Sequence, residues 1–228
     1  MKILITGASR GIGHYLLQKI KDEDFDVCGT YNKTMPEDDL IRYFQRVDIR
    51  DDDQVKKWIE SNVNSSERIA LINCAGTNFN ALAHKTDSDK FLELLNVNLV
   101  GTFRMIHAVL PFMREKGFGR IINFSSVVAE KGVPGTSAYA ASKSALWGMT
   151  KAIALENAEK GITINNLNLG YFDIGLISEV PGPMLEGIKK TIPVQQLGQP
   201  ENILNAVKFL IKSDYILGTA LDINGGLY

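Results

Sequence analysis

The sequence predicts one α/β domain spanning residues 1–228, built on a doubly wound parallel β-sheet of about seven strands with helices on both faces. Short β-branched runs alternate with longer stretches of helical periodicity along the whole chain, with no low-complexity linker and no internal repeat. Several runs, such as Ile3-Leu4-Ile5 and Ile69-Ala70-Leu71-Ile72, are apolar at every position, as expected for parallel strands covered on both faces. At 228 residues, against roughly 150 per domain, one large domain is favoured over two. A chain of this size buries about 70–75% of its unfolded surface and needs no disulfide or metal staple.

Strands are expected at Lys2–Thr6, Asp26–Tyr31, Arg42–Asp48, Arg68–Asn73, Gly119–Ser125, Thr163–Leu169 and Ala220–Ile223. Helices are expected at 12–21, 52–62, 88–115, 137–160 and 200–213. Right-handed crossovers place the helices on both faces, and ligands of such sheets bind outside the carboxyl ends of the strands.

The first strand ends in Thr6-Gly7-Ala8-Ser9-Arg10-Gly11-Ile12-Gly13, with helical pattern directly after it. Glycines allow a sharp turn and a close backbone approach, and the following helix N-terminus offers free amides and a positive dipole end to a phosphate. The spacing is Gly-x-x-x-Gly-x-Gly, so a plain glycine-rich turn is the competing reading. The second strand runs out through Thr30-Tyr31-Asn32-Lys33 with no acid to hold a ribose 2′-hydroxyl. Arg10, Asn32 and Lys33 instead suit a 2′-phosphate, which makes NADP the expected cofactor and NAD the lesser alternative. Arg10 and Lys33 as ordinary solvated cations is the other reading.

The fourth strand closes on Asn73-Cys74-Ala75-Gly76, whose small residues let a flat cofactor lie against the backbone. The fifth ends Asn123-Phe124-Ser125-Ser126, bringing hydroxyls to the same edge. Thirteen residues later Tyr139-Ala140-Ala141-Ser142-Lys143 sets a phenol and an ammonium four apart on one helix face. A free phenol titrates near 10, and a nearby ammonium favours its ionised form. Alone, a Tyr-x-x-x-Lys pair is common by chance and reads more readily as a surface pair.

Together these motifs, in this order, resemble the classical short-chain dehydrogenase/reductases, closest in pattern to the 3-oxoacyl-[acyl-carrier-protein] reductases. Asn98 in Asn96-Val-Asn-Leu-Val-Gly-Thr102 and the ending Tyr215–Tyr228 extend the likeness to essentially the whole chain. The resemblance implies a Rossmann-type fold and hydride transfer between nicotinamide and a carbonyl carbon. Tyr139 would be the proton donor in reduction, and Ser126 would hydrogen-bond the carbonyl oxygen. Lys143 would lower the phenol's pKa and bind the nicotinamide ribose, while Asn98 would hold a water leading to solvent. It also implies that Asp48 and Ile49 receive the adenine, that Asn73, Ala75 and Gly76 line adenosine and ribose, and that backbone near Gly170 and Phe172 orients the nicotinamide.

One segment departs from the family. Leu169-Gly170 stands where Pro-Gly is usual, and Ile174 where a threonine would bind the carboxamide. The Gly-, Pro- and apolar-rich stretch from Gly175 to Leu185, within about 174–195, reads as a substrate lid or as a packed surface loop. Its Leu176, Ile177, Val180, Met184 and Leu185 favour a partly hydrophobic substrate. The expected activity is reduction of a ketone or 3-oxoacyl-type carbonyl to a secondary alcohol. A sugar-nucleotide or secondary-metabolite ketone, or a non-catalytic NADP-binding subunit, are the alternatives.

Lys plus Arg number 25 and Asp plus Glu 26, leaving −1, which argues against a nucleic-acid partner. No run suits a membrane span, and Met1 is followed at once by strand pattern, so a cytoplasmic protein is expected. Cys28 and Cys74 support neither a disulfide framework nor a metal, and His14, His84 and His107 lack ligand spacing. Asp51-Asp52-Asp53 reads as a helix start rather than a cation site. Ala138, Ala141, Ala145, Gly148 and Ala152 make helix 137–160 a candidate contact in a homo-oligomer, tetramer or dimer.

Overall fold

The computed structural model describes residues 1–36, 40–175, 177 and 180–228. Seven strands form one sheet: β1 Lys2–Thr6, β2 Asp26–Tyr31, β3 Phe44–Arg46, β4 Ile69–Asn73, β5 Gly119–Ser126, β6 Ile162–Leu169 and β7 Ala220–Ile223. All six pairings are parallel, in the order β3-β2-β1-β4-β5-β6-β7. The chain steps outward from β1 to β3 and then returns to pair β4 with β1. The switch point therefore lies between the ends of β1 and β4, where the strand order reverses.

The helices are α1 Gly11–Ile20, α2 Asp52–Asn62, α3 Ser88–Leu95, α4 Thr102–Lys116, α5 Val128–Lys131, α6 Ser137–Asn157, α7 Gly182–Thr191 and α8 Pro200–Lys212. Side chains alternate across the sheet, and the apolar run of β1 divides accordingly. Ile3 and Ile5 join Leu16, Leu17 and Ile20 of α1 and Ile203, Leu204 and Val207 of α8 in one core. Leu4 faces the other way, into a core with Val55, Trp58 and Ile59 of α2, Met105, Ile106 and Val109 of α4, and Ile153 of α6. A fully buried Leu or Ile contributes about 1.5–3 kcal/mol, so both covered faces reward an unbroken apolar strand.

Asp51 starts α2 as expected: its carboxylate accepts from the backbone amides of Asp53 and Gln54, both at 3.0 Å. Three expectations need correction. The strand expected at Arg42–Asp48 is confined to Phe44–Arg46, because Ile41–Tyr43 form a 3₁₀ turn first and Asp48 turns to bind Arg50. The helix expected over 88–115 is interrupted by a π-helical turn at Asn96–Gly101. The Thr102 hydroxyl donates to the Asn98 carbonyl at 2.9 Å, satisfying one of the backbone groups in that turn. Helix 137–160 ends at Asn157 and tightens into a 3₁₀ turn over Ala158–Lys160.

In the segment expected as a lid, Gly182–Thr191 are helical. Ile177, Leu185 and Ile188 pack on a small cluster of Val127, Ile192, Leu197 and Leu227. Leu176 lies outside the described residues. Among the described residues, no helix is long and apolar enough to cross a membrane, and no group of three or more His, Cys, Asp and Glu could hold a metal ion.

Candidate active site

The glycine loop is held at the switch point by its neighbours on both sides. The amide of Ala8 donates to the Thr30 carbonyl at 2.8 Å, and the Thr6 hydroxyl accepts from the Ala75 amide at 3.1 Å. Gly7 has φ +62°, and a Cβ there would lie 2.6 Å from the Ala75 Cα; one on Gly13 would lie 2.5 Å from the Gly7 carbonyl oxygen. Any side chain at either position would push the loop off the sheet. The loop delivers the chain into α1, whose N-terminus has no side-chain cap and no acid in its first turn. Exposed Arg10 and partly exposed Ser9, Gly11 and Ile12 surround those amides. A pyrophosphate fits this donor set, since the free amides and dipole end lack any competing anion. The chain leaving β6 comes close to this loop: a Cβ on Gly11 would lie 3.3 Å from the Gly175 Cα.

At the end of β2, Asn32 and Lys33 are joined by a residue the sequence did not single out. Arg46 lies opposite Tyr31 in the β2–β3 register and donates from Nε to the Asn32 carbonyl at 3.2 Å. As one exposed arginine among many, it carries no sequence signal; only the register brings it here. Asp48 is beside them, with its carboxylate held by the Arg50 guanidinium at 2.6 and 3.0 Å. The bonds from Arg50, with a further one from the Asn32 side chain, hold the Asp48 carboxyl down at about 2 despite partial burial. Ile49 is buried against Gly101, so its side chain belongs to the core.

Asn73 does not turn toward the cleft. Its amide donates to the Asn123 side chain at 2.9 Å, Asn123 donates to Thr150 at 3.1 Å, and Thr150 donates to Asn166 at 3.0 Å. This row crosses β4, β5 and β6 beneath α6, leaving the buried Asn73 Oδ1 without a hydrogen-bond partner. Phe172 is likewise buried, its ring filling the space above Gly198. Gly170 donates its amide to the Ile223 carbonyl at 2.9 Å and packs on Asn224. Partly buried Ile174 packs against the α1 and α8 core.

The phenol, hydroxyl and ammonium do converge at the ends of β4 and β5. The Ser126 hydroxyl acts on the Tyr139 phenol, favouring its ionised form, and accepts from the Val128 amide at 3.3 Å. One helical turn further along α6, Lys143 is buried, with Nζ 5.6 Å from the Tyr139 ring centroid and 2.6 Å from the Phe124 carbonyl it donates to. Gly76 flanks the pair: a Cβ there would lie 3.3 Å from the Asn98 side-chain oxygen and 3.8 Å from Lys143 Nζ.

The electrostatics differ from the expectation that Lys143 lowers the phenol. Burial raises Tyr139 above its ordinary value and outweighs the Ser126 hydrogen bond, which pulls the other way. Burial also brings Lys143 down to about 8. Cys74 is the ionisable neighbour that acts on this ammonium; burial pushes its thiol well up, so it stays neutral. At neutral pH the site thus holds a protonated phenol beside a charged ammonium, an arrangement able to donate a proton to a carbonyl oxygen.

Asn98 is fully buried in the π-turn, and its side chain is spent on structure. Its Oδ1 accepts from the Thr77 amide at 2.8 Å, and its Nδ2 donates to the Thr77 carbonyl at 2.9 Å and to the Ser142 hydroxyl at 3.1 Å. It clamps the loop after β4 to α6 one residue from Lys143.

Residues 7–228 match a family model described as Enoyl-(Acyl carrier protein) reductase. The chain is 35% identical to an acetoacetyl-CoA reductase of Rhizobium meliloti (strain 1021) over 240 aligned positions, covering 99% of this chain and 97% of the relative. It is equally similar to an acetoacetyl-CoA reductase of Shinella zoogloeoides, at 35% with the same coverage. A 3-oxoacyl-[acyl-carrier-protein] reductase FabG of Haemophilus influenzae is 31% identical over 234 positions, covering 99% of this chain and 97% of the relative.

Proposed function

The chain belongs to the short-chain dehydrogenase/reductase family and is an NAD(P)-dependent oxidoreductase, and from that premise we propose that it reduces a 3-oxoacyl-type ketone with NADPH. The observation that carries this reading is the buried Tyr139 phenol, kept protonated by burial, with the Lys143 ammonium 5.6 Å from its ring centroid and Ser126 acting on it at the end of β5. The related acetoacetyl-CoA and 3-oxoacyl reductases favour an acyl thioester as the substrate class. The lid-side apolar residues Ile177 and Leu185 suit such a chain.

NADPH, when bound, supplies the hydride for the carbonyl carbon. Ser126 binds the carbonyl oxygen and stabilises the negative charge that grows there. Tyr139 gives that oxygen its phenolic proton and is then reprotonated from solvent. Lys143 keeps a positive charge beside the transient phenolate and binds the nicotinamide ribose, and Asn98 fixes the loop over it. Arg10, Lys33 and Arg46 attract the 2′-phosphate, and the α1 amides with Gly11 to Gly13 take the pyrophosphate. Small outward residues on α6 support a homo-oligomer.

The test is NADPH consumption with acetoacetyl-CoA, other 3-oxoacyl thioesters, nucleotide sugars and small diketones. Turnover of thioesters and none of the sugars is expected; the reverse would move the substrate to a sugar nucleotide. Tyr139→Phe should cut turnover by about 10²–10⁴-fold with NADPH affinity within about threefold. A fully active variant would remove the tyrosine from the reaction.

A further inference from the structure

Helix α6 meets the sheet through polar as well as apolar side chains. Lys143, Trp147 and Thr150 are four and three residues apart and share its sheet-facing stripe. Thr150 meets the Asn123–Asn166 row already described. Trp147 meets a second row one strand step nearer the active site, because Ser125 of β5 lies opposite Asn168 of β6, which lies opposite Asp222 of β7.

The indole N–H of Trp147 is shared between the Ser125 hydroxyl at 3.0 Å and the Asn168 side-chain oxygen at 3.1 Å. The Ser125 hydroxyl in turn donates to the backbone carbonyl of Lys143 at 3.1 Å. On the other side, the Asn168 amide donates to Asp222 at 2.9 Å, and the Tyr228 hydroxyl donates to the same carboxylate oxygen at 3.0 Å. A continuous string thus runs from the C-terminal residue, across three strands, to the carbonyl of Lys143. Ser125 also precedes Ser126, so one bond fixes both the strand that carries the hydroxyl and the helix turn that carries the ammonium.

We propose that Trp147 and Asn168 are positioning residues for the reaction. Bonding Trp147 to Ser125 and Asn168 fixes the rotation and height of α6 on the sheet, and with it the distances from Lys143 to Phe124 and from Tyr139 to Ser126. An apolar contact would allow sliding that a shared N–H does not, and this bond acts on the sheet side of α6 while Asn98 holds Ser142 at 3.1 Å and the Ser144 hydroxyl holds the Ala129 carbonyl at 2.6 Å. The inference rests on the reductase reading only for its effect on turnover; the placement of Lys143 can be read separately.

Trp147→Phe removes the N–H and both of its bonds; Ser125→Ala removes its acceptor on β5 together with the bond from Ser125 to the Lys143 carbonyl. Each is expected to lower kcat with acetoacetyl-CoA about five- to twentyfold while KM for NADPH stays within twofold, because the phosphate end is untouched. The double variant is expected to be no slower than the slower single variant. Titration of the ¹⁵N-labelled Lys143 ammonium, observed in the full-length protein, is expected to move by at least about half a pH unit in Trp147→Phe.

A kcat within twofold of the parent in both single variants, or losses that multiply in the double variant, would overturn the proposal. So would an unmoved Lys143 titration. If the parent protein shows no turnover of any ketone, the reductase reading fails, and the Lys143 titration alone decides the positioning of α6.

Discussion

An ammonium taken out of water loses hydration that only carbonyls or anions can replace, and Lys143 has one such partner, the Phe124 carbonyl. A fall from 10.5 to about 8, caused by burial, corresponds to about 3 kcal/mol against the folded state at neutral pH. Lys143→Met is therefore expected to abolish turnover yet raise stability by about 1–2 kcal/mol, the rest being offset by the lost hydrogen bond. For a lysine whose folded value is depressed, the penalty is full below about 8 and disappears as pH rises toward 10.5. Urea unfolding should show the variant's advantage at pH 7 and its loss by about pH 10; a variant less stable at pH 7 would mean the burial cost is repaid elsewhere. The same values set the rate profile, because proton donation needs the neutral phenol and the charged ammonium. The kcat for reduction should hold level from about pH 6 and fall as pH rises through about 8, and a rate that climbs across that range would show another group in control. Tyr139, Lys143 and Ser126 were singled out in the sequence by the resemblance of several motifs in fixed order, because a strand end and a four-residue helical spacing alone do not specify them. The direction of the phenol's shift was not, since it depends on burial, which no motif records.

Elements decide what a motif can reach. The apolar periodicity of 88–115 continues without a break, so the π-turn that turns Asn98 inward leaves no mark on the pattern. The short α5 and the helix α7 were missed for different reasons: α5 is a four-residue turn too short to show periodicity, whereas the Gly and Pro of α7 read as loop, and α7 gains its place from Leu185 and Ile188 packing on Ile192 and Leu227. Arg46 was invisible because its value comes from lying opposite Tyr31 in the parallel β2–β3 register. That register brings a guanidinium, anchored through Nε on the Asn32 carbonyl, to the strand end where a 2′-phosphate is proposed to sit. Its remaining fork of donors suits a phosphate, as does that of exposed Arg10 in the glycine loop. Arg46→Ala and Arg10→Ala should each weaken NADPH binding about tenfold and leave NADH within about twofold. Fluorescence titration with both cofactors checks this. Equal losses for the two would remove these arginines from phosphate recognition.

For the whole molecule, a parallel sheet covered on both faces follows from strand patterning, whereas a surface proposed to meet another copy does not, since an exposed small residue looks the same whether or not it is later covered. On α6 the face turned away from the sheet carries Ala141, Gly148 and Ala152 exposed, with Leu155 left 83% exposed one turn on. These positions lie three to seven residues apart and form one stripe, and small side chains let a second helix approach closely. Gly148 gives a clean test of this contact, because a Cβ built there meets no atom within 4 Å. Within a single chain, Gly148→Arg therefore costs nothing in packing and gains helix propensity of about 1 kcal/mol. Between two copies it would place a long charged side chain at the closest approach of two backbones. Sedimentation velocity should show the parent as a dimer or tetramer and Gly148→Arg as a smaller species, with unfolding of the separated chain no easier than before. A variant that keeps the parent's mass would take α6 out of the interface.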